Sequence, residues 1–79
     1  MWVAYKPPSS GERLPIGTRV RVRGLLAFDW LYGDPQDGEI RRHLSLGPFR
    51  YVVRYRKYGL PGWVWVSPKR ISHVWVARD

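Results

Sequence analysis

Residues Phe49 to Ile71 read FRYVVRYRKYGLPGWVWVSPKRI, and this run lays out two strands, a reversal and a buried stop. From Arg50 to Arg56 the side chains alternate, with Tyr51, Val53 and Tyr55 on one face and Arg50, Val52, Arg54 and Arg56 on the other. Period two marks a half-buried strand. Tyr58-Gly59-Leu60-Pro61-Gly62 then offers glycines that accept positive φ and a proline of fixed φ, which reads as a hairpin loop. The next strand, Gly62 to Val66, sorts Val64 and Val66 from Trp63 and Trp65. Ser67-Pro68-Lys69-Arg70-Ile71 removes a backbone donor and suits one short helical turn that returns Ile71 to the core.

Outward from this run, Thr18 to Arg23 sets Val20 and Val22 against Arg19, Arg21 and Arg23. Gly24 to Gly38 reads as a long loop. Glu39 to Leu46 reads as a strand with Ile40 inward and Arg41 outward, ended by Gly47-Pro48, and Ser72 to Ala77 alternates Val74 and Val76 with His73 and Trp75. Residues 7 to 17, rich in Pro, Ser and Gly, read as an arm. Trp2 to Tyr5 has strand-like composition and could pair with the last strand, covering a sheet edge. Shared inward parity predicts a core of Val20, Val22, Ile40, Val53, Val64, Val66, Ile71, Val74 and Val76. No segment shows helical periodicity.

Five short strands, a long first loop, tight later turns and one helical turn before the last strand resemble the SH3-like barrel of Tudor and related chromatin-reader domains. The residues that carry the resemblance are Ile16-Gly17-Thr18-Arg19-Val20-Arg21-Val22, the aromatic-bearing loop, and Tyr51-Val52-Val53-Arg54-Tyr55-Arg56-Lys57-Tyr58-Gly59. The last is similar to the Tudor pattern of an extended strand ending in tyrosine and glycine. Coverage runs from Ile16 to Val76. The outline also resembles the C-terminal barrel of retroviral integrases, where a Gly-Pro-Phe segment precedes a Trp-Val strand and a basic turn, and the small basic stromal-side subunit of photosystem I. What these likenesses imply is an all-β fold, a small five-stranded SH3-like barrel over residues 18–79 with a short helical turn before its last strand. An N-terminal arm over residues 1–17 could add an edge strand. A shared fold does not bring a function with it.

The chain has 79 residues, enough for one domain that buries about 60% of the surface its unfolded form exposes. There is no room for a large enclosed active site. With no cysteine and only His43 and His73, neither disulfides nor a structural metal is expected, and stability falls to five Trp, five Tyr, two Phe and the β-branched residues. No segment nears the roughly 18 apolar residues that would span a bilayer, and Met1 to Lys6 lacks the long apolar stretch of a signal peptide. A cytoplasmic, nucleoid or nuclear protein is expected, not a secreted one. Catalysis is not expected either. Serines 9, 10, 45, 67 and 72 sit in no nucleophile elbow, no Walker-type loop occurs, and Asp34, Asp37 and Glu39 suit turn capping or balancing of nearby arginines. No cofactor follows from any motif.

Fourteen Lys and Arg against six Asp and Glu give a net charge of +8. Such a domain attracts polyanions, nucleic acid first and an anionic membrane or an acidic protein second, unless the charge serves only solubility. Arg19, Arg21 and Arg23 share one strand face and Arg50, Arg54 and Arg56 another, with Lys57 following. Same-face residues stand about 7 Å apart, close to the spacing of successive phosphates along a strand, and guanidinium binds phosphate bidentately. The outer faces carry almost no acid to balance these stripes. If Val64 and Val66 point inward, then Trp63, Trp65 and Trp75 point outward, where they could stack bases. The opposite polarity would make the tryptophans the core, and Trp2 with the N-terminal arm could instead cover them.

A third group joins Phe28, Trp30 and Tyr32 of the long loop to Tyr55 and Tyr58. Resemblance to Tudor domains implies an aromatic cage here for a methylated cation, with Asp29 or Asp34 as an acidic wall. The other reading is a small core under a long loop. The sequence therefore predicts a basic binding module that contacts nucleic acid, DNA ahead of RNA, through Arg19, Arg21, Arg23, Arg50, Arg54, Arg56, Lys57, Trp63, Trp65 and Trp75. The alternative is a protein-interaction module, either a methyl-cation reader or an adaptor on an acidic partner.

Overall fold

The computed structural model describes residues 1–23, 36–57 and 59–77, with the side chain of Lys57 excepted. The fold is all-β: β1 (Trp2–Ala4), β2 (Arg19–Val22), β3 (Gln36–Leu46), β4 (Phe49–Lys57), β5 (Leu60–Val66), a 3₁₀ turn (Pro68–Arg70) and β6 (Ile71–Trp75). All pairings are antiparallel, and the strands order as β1-β6-β2-β3-β4-β5. The strands number six: the five expected and, at the edge, the N-terminal strand the sequence allowed, with Trp2, Val3 and Ala4 paired to Trp75, Val74 and His73. Among the described residues β1 and β5 do not pair with each other, so the sheet is not closed by hydrogen bonds.

One face of the sheet is the core. Val20, Val22, Ile40, Tyr51, Val53, Val66 and Ile71 are all buried, with Tyr5, Leu14, Tyr55, Val64 and Val74 packed against them. Each fully buried side chain of this kind contributes roughly 1.5–3 kcal/mol. Two departures from the predicted core have simple causes. Val76 is exposed because β6 ends at Trp75, so inward parity no longer applies to it. Tyr51 belongs to the core, and its hydroxyl accepts the Leu14 N–H at 3.0 Å, which holds the arm to the sheet. The arm is further tied by Tyr5 N–H to the Ser72 carbonyl at 2.9 Å and by His43 Nε2, 2.7 Å from the Leu14 carbonyl.

Strand limits also differ from the reading of the sequence. Gln36, Asp37 and Gly38, expected in the long loop, open β3 and pair with Val22, Arg21 and Val20. The rest of that loop, residues 24–35, lies outside the described residues. Leu60, Pro61 and Gly62, expected in the hairpin loop, form the start of β5, so Lys57 faces Leu60 across a tight connection where Gly59 has φ +76°. Pro61 is tolerated because β5 is an edge strand among the described residues. Gly62 is required by a close approach: a Cβ there would lie 2.6 Å from the Tyr55 hydroxyl oxygen and collide with the ring.

The register shifts at three places, between Ile40 and Arg42, between Arg21 and Val22, and between His43 and Leu46, and these shifts affect which side chains face outward. Between Ile40 and Arg42 the register shifts, leaving Arg41 as the extra residue, so Arg42 rather than Arg41 lies opposite Val52. A second shift, where Arg21 faces His73 and Val22 faces Ile71, skips Ser72. Ser72 is buried, and its hydroxyl donates to the Arg21 carbonyl at 3.2 Å.

Candidate nucleic-acid interface

The face opposite the core is a cross-strand row that the register fixes residue by residue. Trp2 faces Trp75, Arg19 faces Glu39, Glu39 faces Arg54, and Arg54 faces Trp63. Arg19 bridges the two parts of the row, its guanidinium carbon lying 5.5 Å from the Trp75 ring centre and 5.7 Å from that of Trp2. Directly opposed residues stand about 4.5–5.5 Å apart, so each neighbour along the row is within contact range. The row begins and ends in tryptophan, with arginines inside and one carboxylate at the middle.

At the β1–β6 end the groups lie against one another. Trp2 and Trp75 meet edge to face with centroids 5.5 Å apart. Arg21 lies 4.2 Å from the Trp2 ring centre, and its Nε donates to Asp37 Oδ1 at 3.1 Å. That is one guanidinium engaged by both an indole face and a carboxylate.

At the β4–β5 end the same residue types are offered to solvent. Trp63 is 57% and Trp65 52% exposed, against 40% for Trp75. Arg54 lies 5.8 Å from the Trp63 ring centre, at the outer limit of an effective cation–π contact. Phe49 meets Trp65 edge to face at 6.0 Å and so holds one side of that ring. A second row, Arg42, Val52 and Trp65, runs beside the first. Together with Leu44 and Trp63 these residues line a shallow concavity of about 440 Å³ with an apolar floor. Arg42, Arg54 and Arg56 are exposed and make no ion pair among the described residues.

Several expectations need correction. The arginine stripes are not free of acid: β3 runs between β2 and β4 and puts Asp37 and Glu39 between Arg19 and Arg21 on one side and Arg54 on the other. Glu39 also pairs with Arg41 at 3.4 Å. Arg50 does not join Arg54 and Arg56, because its Nη1 donates back to the Gly47 carbonyl at 2.6 Å, at the other end of β4. Arg23 is exposed at the end of β2, where its backbone exchanges bonds with Arg70. Trp75 is turned toward Trp2 and Arg19 instead of standing free.

Of the aromatic-cage residues, Phe28, Trp30, Tyr32 and Tyr58 lie outside the described residues, as do Asp29 and Asp34 and the side chain of Lys57. Tyr55 borders a shallow hollow whose walls include Arg19, Arg54 and Arg56 as well as Asp37 and Glu39. Guanidinium groups there oppose a cationic ligand. Sequence reasoning missed Arg42 and Leu44 as members of the outer face, since only the bulge at Arg41 brings them there. Compared with family models, curated proteins and solved structures, the chain matches none.

Proposed function

We propose that this chain is an SH3-like binding module that contacts nucleic acid through the outer face of β4 and β5. The observation that carries the reading is the pairing of two half-exposed tryptophans, Trp63 and Trp65, with exposed arginines at Arg42, Arg54 and Arg56. Large apolar rings held on a solvent-facing sheet are a liability unless a ligand covers them. Bases cover such rings by stacking while guanidinium groups take the phosphates. The net charge of +8 adds a long-range attraction for the same ligand.

A salt-titrated binding measurement tests this. Log K against log salt should fall steeply, and replacing Arg54 or Arg56 by Ala should flatten the slope by about 0.7 to 0.9, the loss of one phosphate contact. An acidic protein partner responds to salt as well, so polyglutamate serves as competitor. No binding to any nucleic acid at low salt, or full displacement by polyglutamate, would move the assignment to the protein-interaction reading.

A further inference from the structure

We infer that the β4–β5 platform selects unpaired bases, so that its ligand is a single strand, DNA or RNA, and not a duplex; this rests on the nucleic-acid reading above. Trp63 and Trp65 are two residues apart on one strand, which sets their attachment points about 7 Å apart. Bases in a duplex lie about 3.4 Å apart along each strand and cover each other's faces. No duplex can lay two neighbouring bases on both indoles. A single strand can, because its bases splay and offer a free π face to each ring.

The surroundings fit one strand laid across β4 and β5. The hollow of about 440 Å³ beside the rings has Leu44 and Val52 as its floor and Arg42 at its wall, within the roughly 300–1,000 Å³ of small-ligand sites. A base that enters it meets Trp63 or Trp65 on one side and a cation on another. Arg54 reaches Trp63 only at 5.8 Å, so its guanidinium can turn to a phosphate with little lost at the ring. Phe49 against Trp65 limits the freedom of that indole, which lowers the cost of ordering it under a base. Among the described residues β5 is an edge strand, so part of its backbone N–H and C=O groups faces outward, where base edges could bond to them.

Fluorescence titrations with oligo(dT), oligo(U) and a hairpin duplex distinguish the outcomes. The wild type should bind the single strands more tightly than the duplex, with quenched tryptophan emission. Trp63→Ala and Trp65→Ala should each weaken single-strand binding by about 5- to 100-fold, and Trp→Phe at either site should restore part of it. The dT and U arms show whether the sugar matters. Equal affinity for strand and duplex, unchanged by the tryptophan variants, would overturn the inference and leave the nucleic-acid reading standing. Failure of all three oligonucleotides to bind at low salt would overturn both. A dimer of the wild type that Trp63→Ala makes monomeric, with no oligonucleotide bound, would assign the platform to a second copy of the chain and also overturn it.

Discussion

The two ends of the outer sheet face are built from the same residue types and differ in what is left over. At the β1–β6 end, Trp2, Trp75, Arg19, Arg21 and Asp37 contact one another, with Arg21 4.2 Å from an indole centre and 3.1 Å from a carboxylate oxygen. At the β4–β5 end, Trp63 and Trp65 are more exposed and the Arg54 guanidinium stands 5.8 Å from the Trp63 ring centre. The Asp37 carboxylate already balances part of the Arg21 charge and takes one of its five N–H donors, whereas Arg42, Arg54 and Arg56 make no ion pair among the described residues. On the proposed reading, arginine count alone therefore overstates the binding surface. The position of β3, with Asp37 and Glu39 beside β2, divides the face into a structural half and an open half.

The largest effect should come from the scaffold beneath both halves. Ile40, fully buried under the middle of the row, should cost about 2–5 kcal/mol when replaced by Ala. In a domain this small that is most of the stability, so both halves should be lost together in a urea melt. Retention of the structural half alone in that variant would show the two are not one cooperative unit.

The sharpest contrast is between Trp2→Ala and Trp63→Ala. The first removes an aromatic pair and two cation–π contacts and should cost about 1–2 kcal/mol of stability, with little change in oligonucleotide affinity. The second should alter stability by under about 0.5 kcal/mol and lose binding. The comparison breaks if the two variants behave alike.

A smaller, pH-dependent effect should be confined to the β1–β6 side. Burial, with the neighbouring Tyr51 phenol through its charge and its hydrogen bond, pushes the Tyr5 phenol up to about 12 from the ordinary 10.0. The folded state thus keeps a proton that the unfolded chain gives up. The stabilising contribution is complete below pH 10 and is lost as pH rises from 10 to 12. Because Tyr5 N–H bonds to Ser72 beside β1, near-ultraviolet dichroism should report loosening of Trp2 and Trp75 in that window, and Tyr5→Phe should abolish the pH step.

Much of this was legible in the sequence because strand parity is a local property. Val20, Val22, Val53 and Val66 alternate with arginines and tryptophans, and that alternation predicted the core; it left two polarities open for Trp63 and Trp65, and the burial of Val66 with both rings exposed decides between them. What was not legible depends on neighbours in space. Gln36, Asp37 and Gly38 have no apolar alternation, and only pairing with β2 makes them a strand. The bulges at Arg41 and Ser72 change parity midway, so Arg42 reached the platform and Ser72 the interior without any sequence signal. The acids between the arginine stripes depend on the order of strands in the sheet, which alternation does not encode. Pro61 looked like part of a loop, since its place on an edge strand is decided by topology.

The most direct test of the division is the salt dependence of single-strand binding in two double variants, Arg19→Ala/Arg21→Ala and Arg42→Ala/Arg54→Ala. The slope for single strands changes by about 0.7 for each phosphate contact removed. The open-half variant should therefore lose about 1.4 of slope, and the structural-half variant should keep the wild-type slope with only modest loss of stability. Equal loss in both variants, or a greater loss in Arg19→Ala/Arg21→Ala, would contradict the account and return the whole arginine face to the binding surface.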